Sequence, residues 1–104
     1  MIAALKKLFG GGPKTDYAEM VSKGAIIVDV RTPEEFRDGH IKGSINIPLQ
    51  SLKNNLSRLK KDKTIITCCA SGMRSASAKN ILQSSGYASV HNGGGWAGLQ
   101  NKIR

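Results

Sequence analysis

Two adjacent cysteines, Cys68 and Cys69, stand at the end of an apolar run and directly before a loop of small residues that ends at Arg74, in the stretch TIITCCASGMRS. A tight loop of this kind can direct successive backbone N–H groups at an anion, and an arginine adds a fork of donors that suits an oxyanion. The same positive field lowers the pKa of a thiol at the base of the loop. The stretch therefore predicts a nucleophilic cysteine that acts on an anionic substrate.

The spacing leaves two registers open for this site. Five residues separate Cys68 from Arg74, as in cysteine-dependent phosphatases, whereas four separate Cys69 from Arg74. Cys68 continues the apolar run and is interpreted as a small buried hydrophobe, while Cys69 is expected to begin the polar turn. Thr67 stands where the phosphatases usually have a histidine. These residues favour Cys69, with phosphatase-like or arsenate-reducing chemistry from Cys68 as the alternative.

The cysteines follow one of two apolar runs that have the length and β-branched content of strands buried on both faces. These runs are AIIVDV at residues 25–30 and TIIT at residues 64–67, and shorter strands are predicted at residues 45–47 and at about 88–91. Alternating strands and helices predict an α/β domain with a mainly parallel sheet. The carboxyl ends of such strands meet at one edge, which should bring residues 29–31 next to residues 68–74.

Helical patterns occupy the intervening segments. They are a helix capped by Thr15 or Asp16, one from Thr32 to about Asp38, one with Leu52, Leu56 and Leu59 on one face, and one after the cysteine loop that Gly86 can end. The segment before Pro13 is predicted to be a short amphipathic helix on a glycine hinge, so the domain is expected to span residues 13–104. One short helix anchors poorly, and we expect no stable membrane insertion.

Other polar residues are given framework roles. Asp29 is expected to pair with Arg31, Glu34 and Glu35 to be first-turn acids, and His40 to make framework hydrogen bonds. GGGWAG at residues 93–98 satisfies a dinucleotide-binding pattern, but too few residues follow it for a nucleotide fold, so a glycine-rich turn into a terminal helix is predicted instead. No Cys/His cluster has zinc spacing, and neither a metal nor a cofactor is predicted.

Composition narrows the class of partner. Sixteen Lys and Arg residues face seven Asp and Glu residues in 104 positions, giving a formal net charge of +9. This favours anionic partners, whether small oxyanions, nucleic acid or acidic proteins. Only 5% of the residues are aromatic, so no nucleic-acid platform is predicted. Adjacent cysteines cannot form an unstrained disulfide, and free thiols suit a reducing, cytoplasmic location.

From about Thr15 to Gly98 the chain resembles the single-domain rhodanese sulfurtransferases, through IVDVRTPEEFRDGHIKGSINIP, CASGMRSA and GGGW. The resemblance implies a central sheet flanked by helices on both faces and Cys69 as the nucleophile. It also implies that the loop residues hold the anionic end of the substrate; these are Ala70, Ser71, Gly72, Met73 and Arg74. In this family a loop of this length goes with transfer of sulfane sulfur from thiosulfate, or a similar donor, to a thiol or cyanide through a cysteine persulfide. A non-enzymatic persulfide carrier or redox sensor stays open as an alternative.

Overall fold

The computed structural model describes residues 15–104, so the predicted helix, glycine hinge and domain start before Thr15 lie outside the described residues. Four parallel strands form one sheet in the order β2-β1-β3-β4. They are β1 (Ile26–Asp29), β2 (Ile45–Asn46), β3 (Ile65–Cys69) and β4 (Val90–Gly95). The predicted α/β fold with a parallel sheet is therefore confirmed.

Helices cover both faces of the sheet. They are α1 (Tyr17–Ser22), α2 (Pro33–Asp38), the 3₁₀ helix η1 (Leu49–Arg58), α3 (Met73–Ser84) and α4 (Trp96–Ile103). Neighbouring residues of β3 belong to different core clusters: Ile65 packs with Leu82 of α3, and Ile66 packs with Leu99 of α4. A strand buried on both faces needs apolar residues without alternation, which is the pattern that the sequence shows.

Local sequence explains where the helices near the site begin. Thr32 accepts a hydrogen bond from the backbone N–H of Glu35, and the Glu35 side chain accepts one from the backbone N–H of Thr32. This capping box, with Pro33 in the first helical position, satisfies donors that have no partner within the helix. Asp16 caps α1 in a similar way, by accepting a 3.0 Å hydrogen bond from Glu19 N.

Several predicted elements have different bounds or types in the structure. The helix predicted around the three leucines is a 3₁₀ helix that ends before Leu59, and its backbone kinks at Asn55. There the Asn55 side chain donates to Ser51 O at 2.7 Å and competes with regular backbone pairing. The strand predicted to end at Thr67 includes both cysteines, so Cys69 is the last residue of β3 rather than the first of the turn.

The glycine-rich segment is part of β4, not the turn that the sequence predicted. Thr67 pairs with Asn92 but Cys69 pairs with Gly95, so β4 has an extra residue between these pairs, as in a β-bulge. A Cβ atom on Gly93 would lie 2.8 Å from the Leu99 side chain, and one on Gly95 would lie 2.9 Å from Ala70 O. Glycine is needed here because β4 packs directly against α4 and the cysteine loop.

Candidate active site

The loop between β3 and α3 encloses the sulfur of Cys69. The chain leaves β3 at Cys69, turns through Ala70 and Ser71, and enters α3 after Gly72, whose φ of 106° is in the left-handed region. Glycine adopts that conformation without the steric cost of a Cβ atom. The turn folds the amides of the loop back toward the end of the strand that precedes it.

Two backbone N–H donors and one hydroxyl oxygen converge on Cys69 Sγ. Gly72 N lies 2.9 Å from Sγ and Ser75 N lies 3.4 Å from it, while Ser75 Oγ is 3.5 Å away. The sequence predicted the Gly72 contact but missed Ser75. The sequence feature that could have indicated Ser75 is a hydroxyl residue in the first turn of the helix after the loop. At that position both the backbone N–H and the side chain can reach the sulfur.

The other predicted loop residues lie around this centre. Ala70 and Ser71 are exposed, and the Ser71 amide contributes a further hydrogen bond that lowers the pKa of Cys69. Met73 is the first residue of α3, and its side chain is 80% exposed. Of the predicted loop residues, Ser71 and Gly72 therefore direct their amides at the sulfur, while Ala70, Ser71 and Met73 are exposed.

The two thiols differ in environment. Burial by itself would raise the pKa of Cys69, but hydrogen bonds from the Ser75 side chain and from the loop amides outweigh it, and the pKa of Cys69 lies below its ordinary value. Burial, and then the nearby Asp29 carboxylate, raise the pKa of Cys68 to about 12. Near neutral pH, Cys69 is the thiol with the larger thiolate fraction.

Cys68 and Cys69 also face opposite sides of the sheet. Cys69 belongs to the core cluster of α3, whereas Cys68 is fully buried in the other cluster, with Ile66 and Leu99. Because neighbouring strand residues point to opposite faces, Cys68 cannot turn toward the loop without breaking the strand. In the longer, phosphatase-like register the nucleophile would therefore face the side of the sheet away from Cys69 and its loop.

Arg74 is held by Glu35. Its two terminal nitrogens donate to the two carboxylate oxygens at 2.7 and 3.0 Å, which joins α3 to α2. The Arg74 contact, followed by the Thr32 amide, lowers the pKa of Glu35 to about 2. Glu35 is thus more than the first-turn acid that the sequence indicated. Glu35 occupies one N–H of each terminal nitrogen of Arg74, and the role of Arg74 in holding a substrate anion stays a prediction.

Asp29 and Arg31 form a buried pair at the end of β1. Arg31 Nε and Nη2 donate to the Asp29 carboxylate at 2.7–3.0 Å, and Nη2 also donates to Gly39 O at 2.7 Å. The guanidinium carbon lies 4.8 Å from the centre of the Trp96 ring. This arrangement favours the framework role predicted for the pair, because its donors are directed at protein groups.

The two histidines lie away from the cysteine loop. His40 is exposed, stacks on Phe36 and has Nδ1 2.7 Å from Phe36 O, which agrees with the predicted framework hydrogen bond. His91 lies inside β4 instead of at a strand end. Within residues 15–104, no group of three or more His, Cys, Asp or Glu side chains is placed to hold a metal ion, and no helix is long and apolar enough to cross a membrane.

An open groove of about 410 Å³ adjoins the loop. Its walls come from the segments that follow β1 and β2, including Val30, Pro33 and Leu49, and Arg74 lies at its edge. These segments leave the carboxyl ends of parallel strands, where ligands bind in open α/β sheets. The groove is connected to the cysteine loop through Arg74, which lines it.

Comparison with known proteins finds a family model and relatives that match most of the chain. Residues 14–102 match the model of the rhodanese-like domain. The chain is 41% identical over 70 residues to thiosulfate sulfurtransferase PspE of Escherichia coli, a match that covers 65% of this chain and 67% of that protein. The chain spans 67% of the length of this relative, and it spans 64% and 57% of the length of two other curated relatives that it matches.

Solved structures agree with this match. A rhodanese with anions from E. coli is similar with a TM-score of 0.68 and 36% identity, covering 72% of this chain and 91% of that one. The human single-domain sulfurtransferase TSTD1 is similar with a TM-score of 0.76 and 25% identity, covering 88% and 98% of the two chains.

Proposed function

Because the chain belongs to the rhodanese-like domain family, we propose that it is a sulfurtransferase that moves sulfane sulfur from thiosulfate, or a similar small anionic donor, to a thiol or cyanide. Cys69 is the nucleophile in this proposal. The observation that carries it is the convergence of the Gly72 and Ser75 N–H groups on Cys69 Sγ, beside a second thiol that is buried and weakly acidic.

In the first step the Cys69 thiolate attacks the outer sulfur of thiosulfate. A new S–S bond forms at Cys69, the S–S bond of thiosulfate breaks, and sulfite leaves with the bonding electron pair. The thiolate and thiosulfate carry three negative charges in total, and so do the Cys69 persulfide and sulfite. The enzyme requires no redox partner for this step, because the electron pair that sulfite takes from the broken S–S bond is replaced by the pair that the Cys69 thiolate donates to the new one.

The loop stabilises the anion in both forms. In the free enzyme the amides of Gly72 and Ser75 are directed at the Sγ thiolate, and in the persulfide the negative charge moves to the outer sulfur within the same loop. Arg74 adds positive charge at the loop, moderated by its ion pair with Glu35. In the second step cyanide or a thiolate attacks the outer sulfur, which restores the Cys69 thiolate.

The surface charge bears on the acceptor. A net charge of +9 attracts small anions and acidic proteins over distances of about 10 Å at moderate salt. We extend the proposal to an acidic acceptor protein that carries a thiol, reached through the groove beside Arg74, in a reducing, cytoplasmic compartment. In the carrier alternative the same Cys69 persulfide is delivered to such a partner without catalytic turnover.

Turnover tests the proposal directly. We expect the wild type to convert thiosulfate and cyanide to sulfite and thiocyanate over many cycles, and Cys69→Ser to reduce the rate to background, because a hydroxyl is too weakly acidic to replace the thiolate. An aryl phosphate should be hydrolysed poorly by both proteins. Faster turnover of aryl phosphate than of thiosulfate by the wild type would contradict the proposal, and one transfer without turnover would support the carrier.

A further inference from the structure

The Asn92 side chain, in the middle of β4, joins three parts of the site. Its Oδ1 accepts hydrogen bonds from Ser75 Oγ at 2.6 Å and from Gly94 N at 2.9 Å, and its Nδ2 donates to Gly72 O at 3.4 Å. A backbone N–H can only donate, so the Gly94 contact identifies the amide oxygen. Nothing in the sequence analysis pointed to this residue.

Ser75 has a single hydroxyl hydrogen but several acceptors within reach. Asn92 Oδ1 is the closest at 2.6 Å, Gly72 O lies at 3.0 Å, and Cys69 Sγ lies at 3.5 Å. Ser75 is fully buried, so water does not supply an alternative partner. The hydrogen that would stabilise a thiolate at Cys69 is therefore contested by Asn92.

We propose that Asn92 is a positioning residue that acts on Cys69 through Ser75, by accepting the Ser75 hydroxyl hydrogen whenever the Cys69 sulfur carries no negative charge. In the thiol form, Cys69 S–H donates to Ser75 Oγ while the Ser75 hydroxyl donates to Asn92. In the thiolate form the hydroxyl turns to the sulfur. The proposal rests on Cys69 being the reacting residue of the proposed function.

The persulfide would return the hydroxyl to Asn92. Its negative charge lies on the outer sulfur, so Cys69 Sγ becomes a weak acceptor and the 2.6 Å contact with Asn92 is again the best one for Ser75. The hydroxyl thus follows the charge through the reaction. Asn92 accepts the hydrogen bond of the Ser75 hydroxyl in the persulfide form of Cys69, and it loses this hydrogen bond in the thiolate form, which attacks the donor.

The charged groups nearest this network lie in α3, in α2 and at the end of β1. Arg74 of α3 is paired with Glu35 of α2, and Asp29 is paired with Arg31 at the end of β1. The Cys68 thiol lies on the opposite face of the sheet and, with its pKa raised to about 12, is uncharged near neutral pH. None of these groups is altered in the variants below, apart from the removal of the second thiol.

The test measures the pH at which Cys69 becomes a thiolate. In a Cys68→Ala background, the rate of alkylation by iodoacetamide is followed against pH by intact mass, and the fold is checked by circular dichroism. Asn92→Ala should move the midpoint of the rate profile down by about half a pH unit, because the Ser75 hydroxyl is freed for the sulfur. Ser75→Ala should move the midpoint up, and the addition of Asn92→Ala to the Ser75→Ala protein should not move it further.

Two further variants make the result decisive. Asn92→Asp keeps an acceptor and adds a negative charge, so it should move the midpoint up even if Asn92→Ala does not fold. Asn80→Ala, an exposed asparagine of α3, should leave the midpoint unchanged. An upward shift in Asn92→Ala would mean that the residue only supports the loop and would overturn the proposal. The proposal would also be overturned if Asn92→Ala moved the midpoint by the same amount in the presence of Ser75 and in a Ser75→Ala protein.

The alkylation assay needs no sulfur donor, so it separates this proposal from the proposed function. If the wild type fails to turn over thiosulfate but the variants shift the midpoint as expected, the proposed function fails and the role of Asn92 stands. If thiosulfate is turned over and the midpoints do not shift in this order, the role of Asn92 fails and the proposed function stands.

Discussion

The ends of β1 and β3 lie side by side at one edge of the sheet but use their polar groups differently. At the end of β1 the charges satisfy each other, because the Asp29 carboxylate takes three side-chain hydrogen bonds from Arg31 and both residues are buried. At the end of β3 the amides of Gly72 and Ser75 are directed at the sulfur of Cys69.

This difference separates stability from chemistry. A buried ion pair whose partners are fixed to each other cannot release a donor to a substrate without an unpaired charge remaining in the core. Donors that converge on a thiol cost little to redirect, because they would serve whichever sulfur carries the charge in the proposed persulfide. We therefore expect substitutions at the end of β1 to change the free energy of unfolding and those at the end of β3 to change activity.

Asp29→Ala should have the largest effect on stability. It leaves the Arg31 guanidinium buried, at 4% residue exposure, without its partner, and we expect a loss of about 3–5 kcal/mol in the free energy of unfolding. Urea unfolding of Asp29→Ala and of the exposed control Glu34→Ala gives the comparison. The control should stay within about 0.5 kcal/mol of wild type. A loss below about 1 kcal/mol in Asp29→Ala would contradict the framework role.

Cys68→Ser should reduce stability but not activity. The side chain is fully buried among apolar groups, and a hydroxyl placed there without a partner costs about 1–3 kcal/mol. Thiosulfate turnover should remain close to wild type at temperatures where the variant is folded. Loss of turnover in a folded Cys68→Ser protein would show that the two cysteines are not divided between core and chemistry as described.

Glu35→Gln should have the smallest effect and appear in KM. The amide oxygen can still cap α2, but it no longer neutralises Arg74, so the apparent KM for thiosulfate should fall roughly two- to fivefold at low salt. Arg74→Lys should raise KM, because a point charge replaces a directed fork. The Glu35→Gln effect should shrink as salt is added. A KM that stays constant in both variants would show that Arg74 does not act on the donor.

Much of the scaffold was predictable because its signals are local. The uninterrupted apolar runs predicted β1 and β3, and the Thr32-Pro33 cap predicted the start of α2. The path of β4 was not predictable in this way. The glycines of β4 are required by close contacts with Leu99 and with Ala70, which lie outside β4. Because the segment alone does not show these contacts, its glycine content predicted a turn.

The candidate site shows the same difference between local signals and contacts from other elements. Cys69 and its loop could be predicted because the nucleophile, the small residues and Arg74 are contiguous in the chain. The Arg74–Glu35 ion pair joins residues 39 positions apart, and the Ser75–Asn92 contact joins residues 17 positions apart. Such pairs depend on how α2 and β4 pack beside the loop, and spacing within one segment carries no information about them.

The most direct test of the central claim is the mass of the protein after incubation with thiosulfate. We expect the wild type and Cys68→Ser each to gain the mass of one sulfur atom, to lose it on addition of cyanide, and to show it on the peptide that contains residue 69. Cys69→Ser should gain nothing, although it is folded. The assignment of Cys69 as the sulfur-bearing residue would be contradicted if Cys69→Ser gained a sulfur atom. It would also be contradicted if Cys68→Ser were the one protein that failed to gain it.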